Sequence, residues 1–519
     1  MRQLRENGPG RVRAGFVVAP ALIVCLPLIA FSFQGDERRN IYFNAERFGT
    51  NPLEPARQAI DEIDVFLRLG NFRPIGRFFD YTEHSLVFEA AEATGLAPHV
   101  VHGVVRMAMV ALLAFVAWRL VRSLTQAADA PVPWFVPAVI GVVLVAGGPE
   151  SPLVHFPFLF LLSALIVVGL PQVMVQSRDF AARLTRPIEL VLCALAGAAA
   201  AMFFDLVYVV VPLTILYLAA LAIAAGVPLR VAARSPAARR VAALTAGFFA
   251  VFVPVRIMIA NECGDGSCYS GSDLDPSTDA LFATFDRMVS GLPPAGWRFN
   301  GDLIEASGAF FGFRDLAANS LLLILAVGLV GWTVGVIRID RADSPIPARV
   351  GGALALVATG LIVLPALLVS LSTLVQRGEF AIGRAWRDSV LVELGWGVAF
   401  VAVIVVLMQM AAPVPSAATA LRAVLTVMLV GGLVATLLAN VRLQEVDRRD
   451  PVANLTNQIS VASVDFDLTP EGDAHRCSLL DRYTEFAPNP EAWIGGPMLR
   501  ANLDRLAVAR HGRPFCESS

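Results

Sequence analysis

An apolar run from Ala14 to Phe33 gives way at once to Gly35-Asp36-Glu37-Arg38-Arg39. Carboxylates at the mouth of a membrane helix are placed to take a proton from a group reacting at the membrane surface, or to ligate a hard cation. Other ionisable residues stand beside apolar runs: His99, His102 and Arg106; Glu150 and His155; Asp205; Arg256; and Glu393. Charges at membrane depth are expensive and mark functional positions. His102 and Arg106 are four residues apart and share a helix face. All of these fall near the same end of their spans as Asp36 and Glu37, which predicts one polar layer. Each residue also has a plainer role open to it. Glu150 and Asp205 can cap helices, Arg256 can snorkel to headgroups, and His155 can pack. Arg73 and Arg77 can pair with a neighbouring acidic helix face.

The elements that must position these residues are apolar helices. Hydrophobic residues make up 56% of the 519-residue chain, only 16% are charged, and mean hydropathy is +0.64, values that point to a polytopic membrane protein. A bilayer core takes about 20 apolar residues per helix. That window predicts an all-α protein with about eleven spans, near 14–33, 99–120, 132–147, 153–175, 187–204, 206–226, 241–260, 317–338, 350–372, 389–409 and 420–440. The chain divides into a membrane domain, 1–440, and a C-terminal segment, 441–519. Two long loops interrupt the membrane domain, at 34–98 and 261–316. In the first, Ile60, Ile63 and Leu67 repeat at helical spacing after Pro55. Arg73-Pro74-Ile75-Gly76-Arg77 then leads into a second run with Phe78, Phe79, Leu86 and Phe88. Two amphipathic helices of this kind would lie along a membrane surface.

The chain has no lysine, so arginine fixes the orientation. Arg2, Arg5, Arg11 and Arg13 share a side with Arg119 and Arg122, with Arg178, Arg183 and Arg186, and with Arg230, Arg234, Arg239 and Arg240. Arg338, Arg341, Arg349 and Arg422 join them, while Arg377, Arg384 and Arg387 land outside and run against the rule. The N-terminus is then cytoplasmic, and the loops and C-terminal segment face outward. Outward-facing cysteines form disulfides, so Cys263 is expected to pair with Cys268 and Cys477 with Cys516. The Ala, Val, Arg and Gly bias fits a GC-rich bacterial genome, which puts the protein in a cytoplasmic (inner) membrane. A net charge of -2 argues against a nucleic-acid partner.

One N-terminal span, a long outer loop opening on an acidic pair and carrying two helices, then many more spans: this resembles the GT-C superfamily of membrane glycosyltransferases. Asp36-Glu37-Arg38-Arg39 resembles the Asp-Glu-x-Arg-Tyr start of that loop in aminoarabinose and protein mannosyltransferases, with Asn40 where the motif has Tyr. Arg73-Pro74 resembles the Arg-Pro before the second loop helix, and the span from Pro98 to Arg122 resembles the family's second span. The match covers roughly 14–210 and is of an actinobacterial type. It implies transfer of a sugar from a polyprenyl-phosphate donor to an envelope glycan, lipid or protein. Asp36 is the implied base, with Glu37 as its alternate. Arg73, Arg77 and Arg256 are the implied phosphate ligands. His102, Arg106, Glu150 and Asp205 would line the acceptor cavity. Asp36 and Glu150 could hold Mg or Mn.

Three other classes share these features. A transporter would carry its charges near mid-membrane and break its spans in matched halves, whereas here the charges lie at one edge. A polymerase or ligase of O-antigen type would use late-loop arginines, either Arg287, Arg298 and Arg314 or Arg377, Arg384 and Arg387. A non-catalytic envelope-assembly protein would need none of them.

Overall fold

A computed structural model describes residues 14–180, 186–263, 268, 274–308, 311, 312, 315, 319–339, 346–376, 378, 380–488 and 495–517. Arg2, Arg5, Arg11, Arg13, Arg183, Arg314, Arg341 and Arg377 lie outside them. All regular structure among the described residues is helical, apart from one isolated bridge between Leu274 and Ser372.

The first apolar run forms α1 (Ala14–Cys25) and tightens into a 3-10 turn at Leu26–Ala30. The first outer loop then folds into α2 (Glu37–Phe48), α3 (Leu53–Asp61), α4 (Ile63–Arg68) and α5 (Pro74–Thr94). The first expected loop helix is thus broken in two at Glu62. Its apolar Leu53, Ile60, Val65 and Leu69 stay exposed, as on a helix pair lying against lipid. The second departs from expectation: α5 is packed on both sides, and only Leu86 among its large apolar residues is exposed.

The membrane region continues through α6 (Pro98–Ala127), α7 (Val136–Val143), α8 (Phe160–Met174), α9 (Pro187–Ala201), α10 (Val210–Ala225), α11 (Leu229–Ala232) and α12 (Pro236–Glu262). The second outer loop gives α13 (Thr278–Ser290) and α14 (Pro293–Ala306). Next come α15 (Ser320–Ile339), α16 (Ala348–Ser370), α17 (Thr373–Gln376), α18 (Ser389–Ala411) and α19 (Pro415–Arg449). Seven helices among the described residues are long and apolar enough to cross a membrane; they centre on α6, α8, α10, α12, α16, α18 and α19. Shorter apolar helices cover Gly15–Ala30, Pro187–Ala201 and Ser320–Thr333. The chain is therefore a multi-pass helical membrane protein.

The C-terminal segment forms α20 (Pro451–Ala462), α21 (Pro470–Phe486) and α22 (Gly496–His511). The expected boundary at 440–441 falls inside α19, because its polar end, Gln444 to Arg449, continues the helix past the apolar stretch. The segment does not bury a core of its own. Leu455, Ile459, Leu480, Tyr483, Leu499 and Leu503 share one core with Phe33, Ile41, Tyr42 and Phe88 of the first loop. Both expected disulfides form, Cys263–Cys268 and Cys477–Cys516, with Cα atoms 5.2 and 5.0 Å apart.

One contact sets how closely the site's scaffold packs. A Cβ on Gly103 would lie 1.7 Å from the carbonyl oxygen of Ile29. Glycine lets α6 touch the 3-10 turn, backbone against backbone. Gly103→Ala is expected to destabilise the protein by about 1–3 kcal/mol, read as a lower thermal midpoint in detergent. An unchanged midpoint would show that this contact is dispensable.

Candidate functional site

Position 37 is where the acidic pair is put to structural use. The Glu37 side chain is fully buried. Its Oε1 accepts from the Phe156 amide at 2.6 Å and its Oε2 from the Gln34 amide at 3.2 Å. His102 Nε2 lies 3.4 Å from Glu37 and 2.8 Å from Glu83 of α5. Glu83 in turn accepts from the Phe158 amide at 2.9 Å. Two buried carboxylates and one imidazole thus bolt α2, α5 and α6 to the loop from Ser151 to Leu159. Burial alone would raise the Glu37 carboxyl, but His155 and His102 outweigh it and hold the group well below its ordinary value. The loop is strained where it meets this bolt. Phe156 has φ +42, in the left-handed region that bulky residues avoid.

Arg106 is buried beside it and donates to three carbonyls: Val154, Leu28 at 3.1 Å and Phe31 at 3.3 Å. It satisfies the frayed end of the 3-10 turn. His102 and Arg106 were expected to line a cavity; instead both hold the scaffold, His102 between the Glu37 and Glu83 carboxylates and Arg106 on carbonyls that the loop and turn leave open. His99 is buried against Ser460 of α20. Glu393 is buried in α18.

Asp36, one residue earlier, has a different setting. It is the half-buried N-cap of α2, and its carboxylate caps no backbone N–H. Its neighbour Gly35 faces the ring of His155. Both ring nitrogens of His155 are buried without a hydrogen-bond partner. His155 is also close enough to Arg387 to feel its charge.

Arg387 belongs to the second half of the site. Helix α5 carries Arg73 at its N-cap, then Arg77, Asp80 and His84 at spacings of four, three and four, so they share a face. Gly76 permits this placement: a Cβ there would meet the Phe203 carbonyl oxygen at 2.1 Å, and the adjacent Ile75 amide bonds Met202 O at 3.0 Å. The start of α5 thereby docks on Phe203–Asp205. The Phe204 ring lies between Arg73 and Arg387, whose guanidinium carbons are 5.4 and 5.9 Å from its centroid. Arg77 lies over Phe66 and 3.7 Å from Asp80. Phe204, Asp205, Arg256, Ser372, Trp386 and Arg387 line a narrow cleft of about 60 Å³. Across it Arg256 and Asp205 approach to 3.9 Å.

Electrostatically this cluster is unfinished. Burial, then the charges of Arg77 and Arg387, push Arg73 well below an arginine's ordinary value, and Asp205 and Asp80 offset only part of that. The Nε atoms of Arg73 and Arg77 are buried without a partner. The unspent Nε donors of Arg73 and Arg77, crowded beside other guanidinium groups, fit an anion that accepts several hydrogen bonds, as a phosphate does.

The expected metal ligands do not fit a cation. Among the described residues no three His, Cys, Asp or Glu side chains are grouped to hold a metal. Glu150 instead binds Arg384, at 2.8 and 2.9 Å. The other late-loop arginines separate: Arg287 is buried against Asp388, and exposed Arg298 pairs with Asp302 on its own helix. Glu83 and Arg387 were the residues missed as part of the site. Glu83 looked like one polar residue in an amphipathic run. Arg387 had a readable signal, since it broke the arginine asymmetry of the loops.

No family model matches the sequence, no curated protein is significantly similar to it, and no solved structure matches it.

Proposed function

We propose that the protein is a membrane glycosyltransferase that moves a sugar from a polyprenyl-phosphate donor to a cell-envelope acceptor on the outer face. The observation that carries this reading is the arginine cluster. Arg73, Arg77, Arg256 and Arg387 converge around Phe204 and Asp205, where the apolar spans end. A lipid-linked phosphate needs such a place, with its chain in the bilayer and its charge at the edge. This reading takes the seven long apolar helices and the three shorter ones as the membrane core, with an inside N-terminus and an outside C-terminal segment.

In this mechanism an acceptor hydroxyl oxygen forms a bond to the anomeric carbon while the bond from that carbon to the phosphate oxygen breaks. The hydroxyl proton passes to Asp36, acting as general base. The departing phosphate keeps the electron pair, and the arginines stabilise its charge. Glu37 is a poor base because its lone pairs are committed to amides and to His102. No step is assigned to a metal.

The test is donor binding. Arg73→Ala is expected to raise the donor KM about tenfold or more, the loss of one charge-assisted contact, as measured with a panel of polyprenyl-phosphate sugars in membranes. An unchanged KM with every donor in the panel would remove the cluster from donor recognition. Arg387 favours a second reading, since a late-loop arginine is what a polymerase or ligase would use. Comparing pyrophosphate-linked with monophosphate-linked donors separates the two.

A further inference from the structure

At the opposite end of the same helices lies a second polar cavity. Helix α6 is thirty residues long, and His102 and Arg122 stand near its two ends, separated by about 30 Å at 1.5 Å per residue. Around the Arg122 end, α6, α8 and α10 border a half-open cavity of about 470 Å³, far larger than the cleft beside Arg256. Arg119, Arg122, Ser123 and Gln126 line it from α6, Gln176 from the end of α8, and Tyr217 from α10. None of its lining residues is acidic. Among the described residues no carboxylate forms an ion pair with Arg119 or Arg122, whereas nearby Asp179 and Glu189 are both engaged by Arg240.

The donors are held in place. Arg122 stacks on Trp118, with its guanidinium carbon 5.1 Å from the ring centroid. Ser123 Oγ and the buried Tyr217 hydroxyl are 2.5 Å apart and fix each other's position. Gln172 anchors the wall through the carbonyls of Val116 and Val168, at 3.0 and 2.9 Å. Phe115, Val175 and Leu221 complete the lining with apolar surface. Arg122 also donates to the Gln126 oxygen, and the Ser123 and Tyr217 hydroxyls are spent on each other and on the Leu120 carbonyl, so Arg119 and the remaining donors of Arg122, free of any carboxylate, are what the open space offers to one phosphate group. A basic pocket between membrane helices at a bilayer surface suits the phosphate of an anionic headgroup.

We infer that this cavity is a second anion site, which takes a phosphate-bearing ligand at the membrane face opposite the arginine cluster. The inference stands independently of the transferase reading. Two sources could supply the phosphate, an anionic phospholipid headgroup or a soluble phosphate.

The experiment uses the purified full-length protein and follows thermal midpoint together with native mass spectrometry. One arm adds phosphatidylglycerol, with phosphatidylcholine as its control; the other adds inorganic phosphate. The protein is expected to bind one equivalent with a raised midpoint in at least one arm, the lipid arm identifying a headgroup site and the phosphate arm a soluble one. Arg119→Ala/Arg122→Ala is expected to weaken that binding tenfold or more. Both residues are exposed, so the double variant should keep its fold. Arg349→Ala, which removes an exposed arginine outside the cavity, is expected to bind as the wild type does. Binding in neither arm, or equal binding by wild type and the double variant, would overturn the inference.

Discussion

Asp36→Asn is expected to lower sugar transfer by about 10²–10⁴-fold, the range for losing a positioned general base. The substitution keeps the size and polarity of the side chain. It removes no capping bond, because the carboxylate makes none. Expression, membrane insertion and donor KM should therefore stay close to those of the wild type, so the loss falls on kcat. The measurement is transfer from a panel of polyprenyl-phosphate sugars into total membrane lipid and glycan. Full activity in Asp36→Asn would end its assignment as base. Glu37 could not inherit the role cleanly, since its variants are expected to damage the scaffold first.

That damage is the second large effect. Glu37→Ala leaves His102 short of a partner and strands the amides of Phe156 and Gln34 in a buried setting. Breaking one partner out of a buried charged network costs about 3–5 kcal/mol. A large fall in the detergent thermal midpoint is expected, with reduced yield. Glu37→Gln keeps an acceptor oxygen and should fall between variant and wild type. A pH series gives an independent readout. Because the folded-state value of Glu37 is lowered, its contribution to stability is present above the ordinary carboxylate value of 4.5 and is lost as pH falls below it. Wild type should lose more stability than Glu37→Ala on acidification through that range. Parallel pH curves would show that the carboxylate contributes little.

Much of this was open to reading from the chain. The apolar windows located the long helices, since each had to bury its backbone hydrogen bonds within itself. The four loop and tail cysteines paired as expected, Cys263 with Cys268 and Cys477 with Cys516. The polar layer at one depth was also legible, because charges beside apolar runs are conspicuous. What each charge does was not. Asp36 and Glu37 are neighbours in sequence, and a helix turns about 100° per residue, so one faces the core and the other its edge. Which is which depends on where α5 and the loop from Ser151 pack. His102 and Arg106 looked like cavity residues, but two buried carboxylates claim the first, and the carbonyls left open by a 3-10 turn and a strained loop claim the second. Glu83 and Arg387 lie far from the rest of the site in sequence, and only tertiary folding brings Glu83 to His102 and Arg387 to Phe204.

The shared core of the first loop and the last three helices has a consequence for biosynthesis. Helix α2 leaves the ribosome among the first segments, yet part of the surface that covers it is made last. Ser32 and Gln34 bond to Asp447 near the end of α19. Tyr42 and Phe88 pack in one core with Tyr483, Leu499 and Leu503, and Arg510 pairs with both Glu89 and Glu92 of α5. Until translation passes residue 510, the face of α2 that carries Ile41 and Tyr42 lacks its C-terminal cover. A nascent chain stalled anywhere in the spans therefore presents inserted helices but an unassembled outer loop. Completion of the polypeptide, followed by closure of the Cys477–Cys516 link, is the event that completes the core over α2, and a prematurely terminated product inserts without gaining it.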